Sequence, residues 1–297
     1  MPNVRANGIQ LEYETFGDAA HPAMLLIMGF RTQLIGWDEA FCQQLAARGF
    51  HVIRYDNRDV GLSSKMEGGP KPDLKGALGG DFSSVSYGLE DMAKDAVGLL
   101  DALGIRAAHV AGASMGGMIA QLVAILFPER TLSLCSIMSS TGDRSVGQPV
   151  PGAMQQLLLP TPESREKAIE AWVNAWRIIG STGYPFDEAA LRLKAGRSYD
   201  RCFYPPGVAR QMLAILSQKD RTPALAGVTA PTLVIHGEVD PLVTPSGGEA
   251  TARAVPGAKL LMIPGMGHDL PQGTWPTVLD AMAENARRGR EPREKAS

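Results

Sequence analysis

Residues 108–122, with the sequence AHVAGASMGGMIAQL, place a serine between glycines where an apolar run gives way to a helical pattern. Ser114 lies in G-A-S-M-G, which fits the G-x-S-x-G pattern of a nucleophilic serine on a sharp strand-to-helix turn. Large side chains at Gly112 and Gly116 would collide with the neighbouring strand and helix. The N-terminus of the helix would add partial positive charge where an oxyanion forms. The alternative is a glycine-lined turn without reactivity, and the pentapeptide alone does not decide between them.

A neutral serine hydroxyl needs a histidine to accept its proton, and the chain contains five histidines. His268 lies in IPGMGHDLP, a glycine-rich loop directly after the last predicted strand. Loops that follow parallel strands gather at the carboxyl edge of the sheet, where Ser114 also emerges. His268 is therefore the predicted base, and His236, which closes a strand, is the weaker candidate. The remaining histidines lie in a loop, at a strand start and inside the strand before the serine: His21, His51 and His109.

The acid that orients the histidine should lie in another loop at the same edge. Asp240 stands a few residues after a predicted strand in LVIHGEVDPLVTP, with Glu238 close by. Asp240 is the predicted acid, because an Asp-Pro turn would fix the loop and aim the carboxylate. The alternative for Asp240 is an ordinary Asx-turn residue. Asp269 adjoins the histidine in sequence and is badly placed to orient it.

The elements that must position these residues alternate along the chain. Two short alternating runs, 3–6 and 10–16, flank Asn7-Gly8, a strong hairpin signal. Apolar runs of strand length then alternate with helical stripes. Because these strands are apolar on both faces, we predict an α/β fold with a mostly parallel, doubly wound sheet. The predicted strands are 23–28, 51–55, 107–112, 132–138, 232–236 and 259–263, and the helices are 37–45, 89–103, 115–127, 246–254 and 275–285.

The alternation breaks between residues 140 and 222, where loops and helical pieces such as PESREKAIEAWVNAWRI replace it. We predict a core of residues 1–139 and 223–297, an inserted helical cap of residues 140–222, and a flexible tail at 286–297. We predict a partly apolar substrate pocket lined by Gly29, Trp172, Trp176, Tyr184, Phe186 and Met212. Residues 157–159 could extend this lining. The alternative is that these cap residues form the small core of the cap itself.

Composition excludes several classes of function. The 297 residues are 44% hydrophobic and 20% charged, which is typical of a globular chain. A net charge of −2 does not favour a nucleic acid or an anionic membrane as partner. No secretory or membrane-spanning segment is predicted, and the three separated cysteines favour reduced thiols over disulfides or zinc. We therefore expect a cytoplasmic protein that binds a small molecule and holds no metal.

The order Ser114, Asp240, His268 is that of the α/β-hydrolases, which the chain resembles from end to end. More narrowly, the chain is similar to the aclacinomycin methylesterase group. The stretches that carry this resemblance are RYDNRDVGLSS, GASMGG, WRIIGSTGYPFDE in the cap, and IPGMGHDLP. The resemblance implies a cofactor-free serine hydrolase that acts on small-molecule carboxylic esters through an acyl-enzyme. Asp143 is the second candidate for the acid, since some relatives place it there.

Two positions depart from the pattern of the family. Many members carry His-Gly after the third strand, where a backbone N–H completes the oxyanion hole, whereas this chain has Met28-Gly29-Phe30. Because such a donor is backbone, the donors that the resemblance implies are the N–H groups of Phe30 and Met115. The stretch DNRDVGLS resembles the D-x-R-G-x-G-x-S loop of the family with Asp59 in place of a glycine, and we interpret it as a structural Arg–Asp brace.

Other functions remain open at this point. A lactonase would use the same residues. A prolyl-type aminopeptidase should have acidic cap residues for the substrate ammonium, yet Glu163, Glu166 and Glu170 fall on a predicted solvated helix face. A small-molecule receptor that retains the triad without turnover is compatible with the same sequence. Haloalkane dehalogenases and epoxide hydrolases are disfavoured, because both would need a carboxylate at position 114.

Overall fold

The structure is a computed structural model that describes residues 2–159, 162 and 164–289. Its strands are β1 (Asn3–Ala6), β2 (Ile9–Phe16), β3 (Ala23–Ile27), β4 (His51–Tyr55), β5 (Ala108–Ala113), β6 (Thr131–Ile137), β7 (Thr232–Gly237) and β8 (Lys259–Ile263). Within the described residues they form one sheet in the order β1-β2-β4-β3-β5-β6-β7-β8. The β1–β2 and β2–β4 pairs are antiparallel, and the other neighbouring pairs are parallel. The predicted α/β class with a mostly parallel sheet is confirmed.

The first two strands form the predicted hairpin. Asn7 and Gly8 have φ angles of 48° and 81°, and positive φ at both central residues is what a type I′ turn requires. The second strand begins at Ile9, one residue earlier than predicted.

Helices cover both faces of the sheet. They are α1 (Glu39–Ala46), α2 (Leu74–Leu78), α3 (Leu89–Ala102), α4 (Met115–Leu126), α5 (Pro151–Leu158), α6 (Arg165–Ile179), α7 (Glu188–Arg201), α8 (Pro205–Leu216), α9 (Thr222–Leu225), α10 (Pro245–Ala254) and α11 (Trp275–Arg288). Alternate residues of β3 face opposite layers: Leu25 and Ile27 pack with α3 and α4, whereas Met24 and Leu26 pack with α1 and α11. In the described part of the chain, no helix combines the length and apolar character needed to cross a bilayer.

Between β6 and β7 the described residues contain helices α5 to α9 and no strand. We call residues 140–222 the inserted segment. Arg221 ties the two ends of this segment together, because its guanidinium donates to the Ser140 carbonyl oxygen at 2.8 Å and to Gln121 Oε1 at 3.1 Å. Burial among neutral acceptors lowers the pKa of Arg221 to about 10.

The last helix is longer than the sequence suggested. Helix α11 extends to Arg288, and the side chain of Ala286 is fully buried. The predicted flexible tail therefore begins too early, because residues 286–288 continue the amphipathic helix and Ala286 packs in the core. Residues 290–297 lie outside the described residues.

Candidate active site

Ser114 occupies the turn between β5 and α4 with φ 56° and ψ −121°. Holding a non-glycine residue at these backbone angles costs about 1–3 kcal/mol of conformational free energy. The flanking glycines are required by close backbone contacts. A Cβ at Gly112 would lie 2.0 Å from the Gly116 carbonyl oxygen, and a Cβ at Gly116 would lie 2.1 Å from the Ile27 carbonyl oxygen. The turn therefore lifts Ser114 above the carboxyl edge of the sheet.

The structure brings the three predicted polar residues together. His268 Nε2 lies 2.9 Å from Ser114 Oγ, and His268 Nδ1 lies 2.7 Å from Asp240 Oδ2. The three side chains follow the ends of β5, β7 and β8, and the parallel sheet places these loops at one edge. The result is a continuous hydrogen-bonded chain from hydroxyl to imidazole to carboxylate.

The loop after β7 fixes the orientation of Asp240. Its Oδ1 accepts hydrogen bonds from the backbone N–H groups of Leu242 and Val243 at 2.9 and 3.0 Å. The second oxygen, Oδ2, is directed to His268 Nδ1. A carboxylate is an acceptor, so Nδ1 carries the proton and Nε2 presents a lone pair to Ser114. This tautomer can accept the serine proton.

The other acid and base candidates have different partners. His236 Nε2 donates to the Val243 carbonyl oxygen at 2.7 Å and lies 3.6 Å from Asp240 Oδ2. Burial lowers the pKa of His236, so the ring is neutral behind the acid. Asp143 accepts hydrogen bonds from the N–H and O–H groups of Ser145, both at 2.8 Å, and these bonds hold its pKa below the usual value.

The loop after β3 passes directly beside the serine. A Cβ at Gly29 would lie 3.1 Å from Ser114 Cβ and 3.7 Å from its Oγ, and Phe30 is the next residue. Met115 is the first residue of α4, and the N–H groups of a first helical turn point out of the helix end. The peptide groups of Phe30 and Met115 thus belong to the two segments that border Ser114.

Comparison with known proteins agrees with this architecture. The family model described as the alpha/beta hydrolase fold matches residues 22–271. The chain belongs to the α/β-hydrolase fold family. The chain is also 33% identical to rhodomycin D methylesterase of Streptomyces peucetius over 94% of this chain and 95% of that protein. Both the general resemblance and the narrower one to methylesterases are confirmed.

This α/β-hydrolase is also similar to enol-lactonases, in sequence and in structure. The 3-oxoadipate enol-lactonase 2 of Acinetobacter baylyi is 28% identical over 82% of this chain and 81% of that protein. The solved enol-lactonase of Burkholderia xenovorans LB400 superposes with a TM-score of 0.73 at 22% identity, covering 97% of this chain and 99% of that one. At that identity the likeness of structure shows the fold.

A cavity of about 80 Å³ lies where the inserted helices of the α/β-hydrolase face the loop after β3. Trp172 of α6 lines it, and the Arg31 guanidinium carbon lies 5.4 Å from the centroid of a Trp172 ring. Burial lowers the pKa of Arg31. The sequence did not single out this arginine, although it directly follows Phe30. It also did not single out the aromatic residues of α7 and of the α7–α8 connection that line the cavity: Tyr199, Phe203 and Tyr204.

The other predicted pocket residues of the α/β-hydrolase lie in different surroundings. Trp176 has its ring 6.0 Å from that of Trp172 and packs in a small cluster with Ala153, Ile179 and Leu242. Tyr184 packs against the core layer on the α1 and α11 side of the sheet, and Met212 is buried in α8. Phe186 is 44% exposed and is not part of the lining of this cavity. The side chains of residues 157 and 158 lie outside the described residues.

The charged loop after β4 binds the inserted helices. Asp59 forms a two-point ion pair with Arg210 of α8, with both N–O distances at 2.8 Å. Asp56 pairs with Arg201 of α7 at 2.6 Å. Arg58 instead binds a carboxylate of α3 at 2.6 Å. The charges of this loop therefore pair with three helices rather than with one another, and two of the pairs fasten the inserted segment to the sheet.

Asp59→Asn is expected to lower the free energy of unfolding by about 3–5 kcal/mol, because it leaves the buried Arg210 guanidinium without its countercharge. Asparagine tolerates the left-handed backbone at this position, where φ is 68°. Its side-chain oxygen can still accept from the Met66 N–H, which lies 2.7 Å away. Chemical denaturation measures the change. The double variant Asp59→Asn/Arg210→Met is the control and should recover most of the loss. An unchanged midpoint in the single variant would contradict the prediction.

Proposed function

We propose that this protein is a carboxylic ester hydrolase that forms an acyl-enzyme on Ser114. The observation that carries the proposal is the hydrogen-bonded chain from Ser114 Oγ through His268 to Asp240. Ser114 attacks the ester carbonyl while His268 Nε2 accepts its proton. Asp240 holds the imidazole in the required tautomer and stabilises its charged form.

The tetrahedral oxyanion requires donors on the side of Ser114 that faces the loop after β3. We assign this role to the backbone N–H groups of Phe30 and Met115, which the adjacent Gly29 loop and the first turn of α4 support. Each such donor is worth about 10²–10³ in rate. His268 then returns the proton to the leaving alcohol, and water repeats the cycle on the acyl-enzyme.

We assign residues 140–222 as a cap over a core of residues 1–139 and 223–297. The ion pairs Asp59–Arg210 and Asp56–Arg201 support this assignment, because they join α8 and α7 to the loop after β4, at the carboxyl edge of the sheet. We infer a small or medium, partly apolar substrate from the methylesterase relative. The cavity of about 80 Å³ lies beside the reacting groups, because Ser114, Asp240 and His268 are not part of its lining. We also infer a cytoplasmic location, with which the three free thiols agree.

A series of p-nitrophenyl esters from acetate to decanoate tests the proposal directly. We expect saturable hydrolysis with an optimum at one acyl length, because a binding pocket of fixed shape limits the size of the acyl group. Methyl esters of the preferred acid should also be hydrolysed, as the methylesterase relative suggests. Tight binding of a small molecule without product formation would instead favour a receptor that retains the triad.

Lactone hydrolysis is the second candidate function, favoured by the enol-lactonase relative. A lactone is an internal ester, so the same residues would open it, and γ-lactones belong in the same assay series. The aminopeptidase hypothesis is weaker, because Glu170, a candidate for binding the substrate ammonium, is already paired with Arg192 at 2.6 Å and Arg177 at 3.8 Å. Of the other acids considered for that role, Glu166 is exposed, and Glu163 lies outside the described residues.

A further inference from the structure

The segment that ends α6 lies directly on the loop that carries His268. We call residues 179–183 the strap and residues 265–269 the histidine loop. The His268 N–H donates to the Ile179 carbonyl oxygen at 2.7 Å, and the Gly183 N–H donates to the Gly265 carbonyl oxygen at 2.9 Å. The proposed base is therefore hydrogen-bonded through its own backbone to the inserted segment.

Ser181 of the strap joins two further groups of the histidine loop. Its backbone N–H donates to Asp269 Oδ1 at 2.9 Å, and its hydroxyl donates to the same oxygen. The Ser181 oxygen also accepts from the Gly267 N–H at 2.9 Å. Ser181 and Asp269 thus hold the residues on both sides of His268.

Glycines allow the two backbones to touch. A Cβ at Gly267 would lie 2.4 Å from the Gly180 carbonyl oxygen, and a Cβ at Gly183 would lie 2.7 Å from Gly265 Cα. Side chains at these positions would force the strap and the loop apart. The same glycines give the histidine loop wide conformational freedom when nothing holds it. The contacts of the strap remove that freedom.

We propose that Ser181 and Asp269 are positioning residues that hold His268 at the distance from Ser114 required for proton transfer. The inference rests on the proposed function. Asp240 fixes one end of the imidazole, but the backbone of His268 is held from the side of the inserted segment. Proton transfer and attack depend steeply on geometry, so a small displacement of this loop lowers the rate without removing any reacting group. The cap then takes part in catalysis as well as in enclosing substrate.

Ser181→Ala tests the inference, because it removes the hydroxyl that donates to Asp269 and accepts from the Gly267 N–H, and leaves only the backbone N–H bond to Asp269. We expect kcat to fall by about 10- to 100-fold while KM changes by less than about twofold. Ser181→Thr keeps the hydroxyl and should restore most of kcat. Ser164→Ala is the matched control, since Ser164 caps the other end of α6 through the Lys167 N–H; it should leave kcat nearly unchanged at a similar loss of thermal stability.

Two further readouts separate positioning from a general effect on folding. Asp269→Asn keeps an oxygen that can accept from Ser181, so it should retain kcat within about threefold. Asp269→Ala removes the acceptor of both Ser181 donors and should lower kcat by about 10- to 100-fold. The downfield proton resonance of His268 Nδ1–H should broaden in Ser181→Ala and remain sharp in Ser164→Ala. A loss in Asp269→Asn equal to that in Asp269→Ala would point to charge rather than hydrogen bonding and would overturn the inference.

The same assays separate this inference from the proposed function. If Ser114→Ala abolishes hydrolysis but Ser181→Ala retains full kcat, the ester hydrolase stands and the positioning role is wrong. Equal losses of kcat in Ser181→Ala and Ser164→Ala would mean that the strap contributes only to stability, and would also overturn the inference. If Ser114→Ala retains activity, the proposed function itself fails.

Discussion

Alanine at position 114 is expected to lower kcat for p-nitrophenyl esters by about 10⁴–10⁶ relative to the unaltered hydrolase. Ser114 Oγ is the atom that His268 Nε2 contacts at 2.9 Å, and without it the imidazole has no nucleophile to activate. The remaining rate would come from substrate binding and from the N–H groups beside the turn. KM should change little, because the hydroxyl acts in the transition state. Steady-state kinetics with the ester series measures both constants.

Ser139→Ala is the matched control for this variant. Ser139 donates its hydroxyl to the Ser114 carbonyl oxygen at 2.9 Å, so its removal perturbs the same turn without touching Ser114 Oγ. Loss of one such bond costs about 0.5–1.5 kcal/mol, and kcat should stay within about tenfold of the unaltered enzyme. If Ser114→Ala retained more than about a tenth of kcat, Ser114 would be only a turn residue.

The contacts among Ser114, Asp240 and His268 were predictable because each residue stands at a locally recognisable place. A glycine-flanked turn follows one strand, an Asp-Pro turn follows another, and a glycine-rich loop follows the last. Parallel strands then bring the three loops to one edge whatever the details of packing. Three local signals and one rule of topology were enough to place the three side chains together.

The contacts between the inserted segment and the core could not be predicted in the same way. Asp59 and Arg210 are 151 residues apart, and Ser181 and Asp269 are 88 residues apart. The inserted helices are not connected to strands of the sheet by a regular alternation that would fix their position. Their periodicity shows which face of each helix is apolar but not which surface packs against that face. For that reason two aromatic residues predicted for one pocket have different surroundings. Trp172 lies in the wall of the cavity, whereas Phe186 lies at the surface.

Asp240→Asn is expected to lower kcat by about 10⁴ with the fold intact. The backbone N–H groups of Leu242 and Val243 both point at Oδ1, so the amide oxygen of asparagine must occupy that place. Its NH₂ group then faces His268 Nδ1, which has to become an acceptor. The ring proton moves to Nε2, where it faces Ser114 and blocks proton transfer. Steady-state kcat and the rate of Ser114 labelling by a fluorophosphonate should fall together.

Asp143→Asn is the matched control, because it makes the same change in the residue that was the second candidate for the acid. Asp143 is bonded to Ser145, so kcat should stay within about twofold of the unaltered enzyme. The opposite pattern, with Asp143→Asn inactive and Asp240→Asn active, would move the orienting acid to the loop after β6. Equal activity of both variants would mean that the hydrogen bond between Asp240 and His268 positions the loop without setting the tautomer. The pair of variants therefore tests whether the hydrogen bond between Ser114 and His268 has its proton on Ser114 Oγ or on His268 Nε2, which a distance alone does not give.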